Sequence, residues 1–183
     1  MNKKEAILKS ALKLLTEKGI HNTPMSAIAK EAGTGMGTIY NYFSNKDILI
    51  NEIYVGIKEQ EKGLFKTFED EKPIKTQFEN YFVSLIDFFL NNPLYFQFME
   101  QLQASPIITE ESRTKGLEAV EAVVQLIQIG QQERIIKSID SGELLQFIGG
   151  AMLAYLRWVF NQPAPHRQSL QNQLTMVWDA IKE

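Results

Sequence analysis

The chain has 183 residues, 44% apolar and 22% charged, with a formal net charge of −3 and no cysteine. That is globular composition for one compact domain, or a small helical domain joined to a larger one, and it excludes wholesale disorder, a disulfide scaffold, a thiolate zinc site and a cysteine nucleophile. The charge is uneven: residues 1–50 hold seven Lys and four acids, a net of +3, so the rest carries −6, a hint of a nucleic-acid-facing end.

In chain order, nearly every segment has helical period and none shows strand alternation. Ile7, Leu8, Ala11, Leu12 and Leu15 recur at spacings of three and four, and Gly19 follows as a C-terminal stop. A short helix comes next, capped by Thr23 with Pro24 in its first turn, running through Ile28 and Ala29 to Ala32 and ended by Gly33. After Gly35 and Gly37 a third helix holds Thr38 to Phe43. Ser44 with Asp47 reads as the cap of a long helix over about Lys46 to Asp70. Pro73 starts a helix to about Leu90, and Asn92-Pro93 starts another to Leu102. Ser105-Pro106 breaks the chain, and Thr109 caps one helix expected to reach Arg134. Asp140 and Ser141 precede an apolar helix from Glu143 to Asn161. Pro163 and Pro165 separate it from a last helix, about His166 to Ile181. The expectation is an all-α chain of about nine helices, without internal repeats, divided near residues 46–50.

Two short helices joined by a tight Gly-containing turn, behind an amphipathic helix, describe a helix-turn-helix unit. An α-helix fits the major groove, and helix N-termini and hydroxyls hold phosphate. Thr23 and Ser26 sit at the start of the second helix, Tyr40 and Tyr42 place two phenols on the third, and Lys46 follows. Ile39 and Phe43, four apart, anchor the third helix, so Thr38, Asn41 and Tyr42 face away; Met36 falls near the anchoring face. Taken singly, Tyr40 also reads as a half-buried core aromatic and Lys46 as a solvated lysine.

Three ordered motifs carry a resemblance: Ile28-Ala29-Lys30-Glu31-Ala32-Gly33, then Gly37-Thr38-Ile39-Tyr40-Asn41-Tyr42-Phe43, then Lys46-Asp47-Ile48-Leu49. Over about residues 3–55 the chain resembles the DNA-binding domain of TetR-family transcriptional regulators. The remaining two-thirds matches in length and helical pattern only. The resemblance implies a DNA-binding domain over 1–46 and a ligand-binding and dimerisation domain over 47–183. It implies a third helix that reads DNA, with Thr38 on a base or phosphate and Tyr40, Tyr42 and Lys46 on phosphates. The expected DNA-binding set is Thr23, Ser26, Thr34, Gly35, Met36, Gly37, Thr38, Tyr40, Asn41, Tyr42 and Lys46. Two positions depart from the family: Gly35 stands where many members have Ser, and Met36 where many have Lys. Residues 35–43 thus contain no Arg or Lys, so the bidentate Arg–guanine contact is unavailable. Asn41 or Thr38 hydrogen bonding, with Met36 against thymine methyls, points to an A/T-leaning half-site. Gly35 and Gly37 allow close backbone approach, or simply make a flexible turn.

Eight of the 19 aromatic residues fall within residues 74–99. Phe78, Phe82, Leu85 and Phe89 form a core stripe, while Phe88 and Tyr81 widen it beyond what one core needs. By resemblance this region takes a small apolar or amphipathic effector, with Phe82, Phe89, Tyr95, Phe96, Met99, Phe147, Met152 and Tyr155 as lining candidates. Each of these reads individually as core. The helix from Glu143 has only Glu143 and Arg157 as charges and needs covering on more than one side. Gly150 and Ala154 allow close helix approach beside Trp158, and Leu170, Leu174, Val177, Trp178 and Ile181 stripe the last helix. Together they suggest an intermolecular four-helix bundle in a homodimer, the usual arrangement of TetR-like regulators; the alternative is the central helix of a monomer.

No catalytic, metal or cofactor site is expected. His21 and His166 are the only histidines and lie apart, and no phosphate loop or nucleophile elbow occurs. The longest uncharged apolar run, Ile148 to Leu156, is far short of the roughly 20 residues of a membrane span, and charges interrupt any signal-like core; the expected setting is cytoplasmic. The reading is a DNA-binding repressor of operator DNA released by a small molecule, with an activator or a helical adaptor as alternatives.

Overall fold

The computed structural model describes residues 2–64, 72–103, 105–162 and 167–183. Among the described residues ten helices occur in chain order: α1 Lys3–Lys18, α2 Met25–Glu31, α3 Met36–Tyr42, α4 Lys46–Lys62, α5 Ile74–Asn91, α6 Pro93–Leu102, α7 Glu110–Glu118, α8 Glu121–Gln132, α9 Ser141–Phe160 and α10 Arg167–Ile181. There is no strand among the described residues, only an isolated bridge between Ile136 and Lys182. No helix among them is long and apolar enough to cross a membrane.

Local chemistry sets most helix ends. Asn2 and Glu5 form a reciprocal capping box on α1, in which the Asn2 Oδ1 accepts from the Glu5 N–H at 2.8 Å. Gly19 closes α1 at φ +85°, a conformation that side-chain-bearing residues rarely adopt. Asp140 accepts from the N–H groups of Gly142 and Glu143 at the start of α9. Thr109 caps α7 by accepting from the Ser112 N–H at 3.2 Å. Two expected caps differ. At α4 it is Asn45, not Ser44, whose side chain accepts from the Ile48 N–H at 2.9 Å. At α2 no side chain caps; Pro24 occupies the cap position, and Thr23 is turned inward.

The helix expected over 109–134 is two helices, which brings the total to ten. α7 buries Ser112 and Gly116, and a Cβ at Gly116 would collide with the Tyr54 hydroxyl. α8 buries Val123, Leu126, Ile127 and Gly130. These stripes serve different cores, and one straight helix cannot present both, so the chain turns at Ala119-Val120. The expected continuation of α4 through residues 65–70, the separators Pro163 and Pro165, and the expected start of the last helix at His166 lie outside the described residues.

The chain divides into two compact units: Met1–Gln60 with Asn92–Glu118, and Glu61–Asn91 with Ala119–Glu183. Charge and pattern put one division near residues 46–50; the first of these units also takes in Asn92–Glu118. In the first unit α1 packs on α2 and α6, and α2 packs on α3. Its largest fully buried side chains are Ile7, Leu15, Ile28, Ile39, Phe43, Leu49, Ile50, Ile57 and Phe98. In the second unit α5 packs on α8, α9 and α10, and α9 on α8 and α10. Phe78 anchors it, with ring centroids 6.1 Å from Phe82 and 5.5 Å from Trp178. Each such aromatic contributes about 1.5–3 kcal/mol through removal from water.

Candidate nucleic-acid interface

α3 is a short helix held by two side chains. Ile39 and Phe43 are buried completely on one side, as their spacing of four requires. The turn before it is set by Gly33, which has φ +63°, and by Thr34 N–H donating to the Ala29 carbonyl at 2.9 Å. Gly35 takes the N-cap position with φ −83°, and its carbonyl accepts from Thr38 and Ile39. At neither Gly35 nor Gly37 would a Cβ meet any atom within 4 Å, and neither has a positive φ. The fold itself therefore asks for glycine at Gly33 but not at these two.

The opposite side of α3 faces solvent. Met36 is 39% exposed, Tyr40 48% and Tyr42 46%; Gly37 and Asn41 are also exposed, and Thr38 and Thr34 are half-buried. Met36, left ambiguous by its spacing, belongs to the outer side. Ser26 is exposed on α2. Two phenols, an amide and a thioether thus share a surface that makes no core. Such groups offer hydrogen bonding and stacking at once.

Thr23 and Lys46 have other duties. Thr23 is wholly buried, and its hydroxyl shares one proton between the carbonyls of Leu14, at 3.1 Å, and Gly19, at 2.9 Å. It cannot reach a phosphate, because the C-terminus of α1 takes its only donor. Lys46 is half-buried, its Nζ donating to the Ile20 carbonyl at 2.8 Å and the Thr23 carbonyl at 3.3 Å. It fixes the loop between α1 and α2, and one of its three N–H bonds is left over. Among the flanking charges, Lys13 donates to Glu31 at 2.7 Å, which holds the Glu31 carboxyl below its ordinary range and the Lys13 ammonium above its own. Lys4 bonds Glu52 and lies 6.0 Å above the Phe43 ring.

The expected effector-lining residues divide between the units. Tyr95, Phe96 and Met99 lie on α6 in the first, where the Tyr95 hydroxyl accepts from Gln60 Nε2 at 3.3 Å and Phe96 is buried. Phe82, Phe89, Met152 and Tyr155 are buried in the second. Phe147 is 49% exposed on the outside of α9 and lines no interior, because the helix turns Leu144 and Ile148 inward instead. The second unit also buries Tyr81, whose phenol is pushed well above its usual range by desolvation and then by the Glu61 carboxylate. Among the described residues no cluster of three His, Asp or Glu could hold a metal ion.

Of the expected interface residues, Gly150, Ala154 and Trp158 are exposed on α9, in line with Phe147. Trp158, 45% exposed, leans on Tyr155 at a centroid distance of 6.1 Å. Leu170 is half-buried. Leu174, Val177, Trp178 and Ile181 are corrections: they are buried in the chain's own core, with Trp178 against Phe78, and have no surface to give a second copy. The apolar stripe of α10 faces α5 and α9; Met176, 60% exposed, is the large apolar side chain it shows outside.

Residues 7–53 match the family model for bacterial regulatory proteins of the tetR family, and residues 54–183 match the tetracyclin repressor-like C-terminal domain. Among curated proteins, the chain is 28% identical to the HTH-type transcriptional regulator UidR of Escherichia coli K12, over 82% of this chain and 73% of that one. It is 27% identical to the uncharacterized HTH-type transcriptional regulator YhgD of Bacillus subtilis, over 78% and 70% of the respective chains. Among solved structures, a putative tetR family transcription regulator from Shewanella sp. PV-4 superposes with a TM-score of 0.91 at 23% identity, covering 100% of both chains. A TetR family regulator from Marinobacter aquaeolei VT8 gives 0.87 at 20%, covering 99% and 96%. At these identities the structural likeness speaks to the fold.

Proposed function

The chain belongs to the TetR family of bacterial transcriptional regulators, and on that premise we propose that it is a repressor: a homodimer that holds a palindromic operator and leaves it when a small apolar or amphipathic effector binds the helical C-terminal part. One observation carries the DNA-reading part of this proposal. α3 buries Ile39 and Phe43 completely while holding Met36, Tyr40, Asn41 and Tyr42 out to solvent. A helix anchored on one side and dressed with donors on the other suits a major groove.

The proposed contacts are Ser26, Thr34, Gly35, Met36, Gly37, Thr38, Tyr40, Asn41 and Tyr42, with Lys46 offering its remaining N–H to a phosphate. Thr23 drops out, being buried. The openness at Gly35 and Gly37 supports close approach of DNA, since the fold does not need glycine there. Asn41 can pair bidentately with N6 and N7 on the major-groove edge of an adenine, and Met36 can pack on thymine methyls, so the half-site leans to A/T. Two α3 helices in a two-fold dimer would read half-sites about 34–36 Å apart, or a multiple. The exposed α9 row of Phe147, Gly150, Ala154 and Trp158 supports pairing with a second copy. α4 begins beside α3 and contributes to both compact units, so an effector that shifts it would change the α3 spacing. Such coupling amounts to about 1–3 kcal/mol, opposing DNA.

The test is fluorescence anisotropy on DNA from immediately upstream of the gene, against a scrambled duplex, across a salt series. Specific binding is expected, weakened by Tyr42→Ala, with the salt slope reduced by about one for Lys46→Ala. Absence of any sequence preference, even after selection from a random duplex pool at low salt, would overturn the reading.

A further inference from the structure

Three side chains converge on the backbone between α1 and α2. Thr23 is near in sequence, and Lys46 reaches in from the start of α4. The third is Gln101, in the last turn of α6. Its Nε2 donates to the carbonyls of Leu15 at 3.1 Å and Thr16 at 3.4 Å, and its Oε1 accepts from the Ile20 N–H at 3.2 Å. Leu15 and Thr16 lie in the last turn of α1; the Leu15 carbonyl also accepts the Gly19 N–H at 3.0 Å, so Gln101 adds a side-chain donor to a helix end whose carbonyls run short of intrahelical partners. The amide orientation is fixed by this pairing, because the flipped form would set donor against donor and acceptor against acceptor at both ends. Gln101 is half-buried, and α6 packs along α1 within the same compact unit.

The connection so held leads directly into the reading elements. Ile20 and Thr23 precede Pro24, which opens α2, and α2 packs on α3. Ile20 N–H is held by Gln101 and its carbonyl by Lys46, so this residue is pinned from both sides. We propose that Gln101 is a positioning residue of the DNA-reading head: its amide locks the connection between α1 and α2, and through it the seating of α2 and α3, to α6. This inference rests on the regulator reading above. Gln101 lies outside residues 7–53, the segment that carries the DNA-binding match. It touches no DNA; it sets the fraction of molecules whose head is competent to bind, and apparent affinity scales with that fraction.

The chemistry predicts an order among substitutions. Gln101→Lys still donates to the α1 carbonyls and brings a cation to a helix C-terminus, which favours it. Gln101→Leu packs without hydrogen bonds. Gln101→Glu can accept from Ile20 but sets an anion against two carbonyl oxygens. Operator affinity of the full chain is expected to fall about 10-fold or more for Glu, about 3-fold for Leu and within about 2-fold for Lys. Gln103→Lys, at the exposed C-cap of α6, controls for added positive charge and is expected to match wild type. Amide exchange of the DNA-free protein should quicken over residues 15–24 in the same order. A packing role alone would not rank Glu and Lys apart. Equal affinities for the Glu and Lys variants, or equal exchange, would overturn the proposal. If wild type selects no DNA sequence, the regulator reading falls instead, and the exchange order alone decides the clamp.

Discussion

α3 and α9 solve opposite versions of one problem. Each buries one side in its own unit, Ile39 on α3 and Leu144, Ile148 and Met152 on α9, and each leaves large side chains outside. On α3 the outer aromatics are Tyr40 and Tyr42, which carry hydroxyls, with Asn41 between them. On α9 they are Phe147, Trp158 and Phe160, with Gly150 and Ala154 between the first two. Hydroxyls and amides match a wet, charged partner such as a phosphate backbone. Rings flanking small residues match a dry partner that approaches closely, such as another helix. Equal exposure thus stands for two kinds of surface, and the atoms at the tips of the side chains separate them.

Substitutions can break that comparison in order of size. The inner sides should behave alike: Ile39→Ala and Ile148→Ala should each cost about 2–5 kcal/mol in denaturant unfolding, since both side chains are fully enclosed. If either costs little, the two-sided description of that helix is wrong. The outer sides should then part. Ala154→Arg should keep the helical fold by circular dichroism, give a monomer by light scattering, and weaken operator binding about 100-fold or more as the second head is lost. Retention of the dimer would move the interface off α9. Tyr42→Phe should weaken DNA binding about fivefold, the worth of one hydrogen bond, without shifting the oligomeric state or the unfolding midpoint. The smallest effect belongs to Glu31→Gln. The folded carboxyl of Glu31 is held below its unfolded range by Lys13, so its stabilisation is present above the unfolded pKa and lost as pH falls through the folded one. Both groups are exposed, so at neutral pH and ordinary salt the melting temperature should not change measurably, and a clear drop would show a larger role for the pair.

The division of α3 was legible because its period is short and local: Ile39 and Phe43 announce the buried side. The stripe on α10 was equally legible as a stripe, but periodicity says only that residues share a side, not what covers it. Phe78 and its neighbours on α5 cover Trp178, and nothing in residues 170–181 could have said so. Thr23 failed for a related reason. A threonine before a proline at a helix start reads as a cap, yet the carbonyls of Leu14 and Gly19 reach it first. The turn at Ala119-Val120 hid in an otherwise helical run, because its cause is the partition of α7 and α8 between two cores. Gln101 carried no signal at all, since a glutamine on an amphipathic helix is ordinary until the helix opposite it is known.

At Gly37 a side chain would meet nothing within 4 Å, and Met36 and Asn41 are exposed. Variation at this rim is therefore decoupled from folding. A lineage could exchange Met36, Gly37 or Asn41 and acquire a new target sequence without first accumulating compensating changes in its core. The same freedom serves the laboratory: a library confined to these three positions would search for altered operator preference among molecules that nearly all fold.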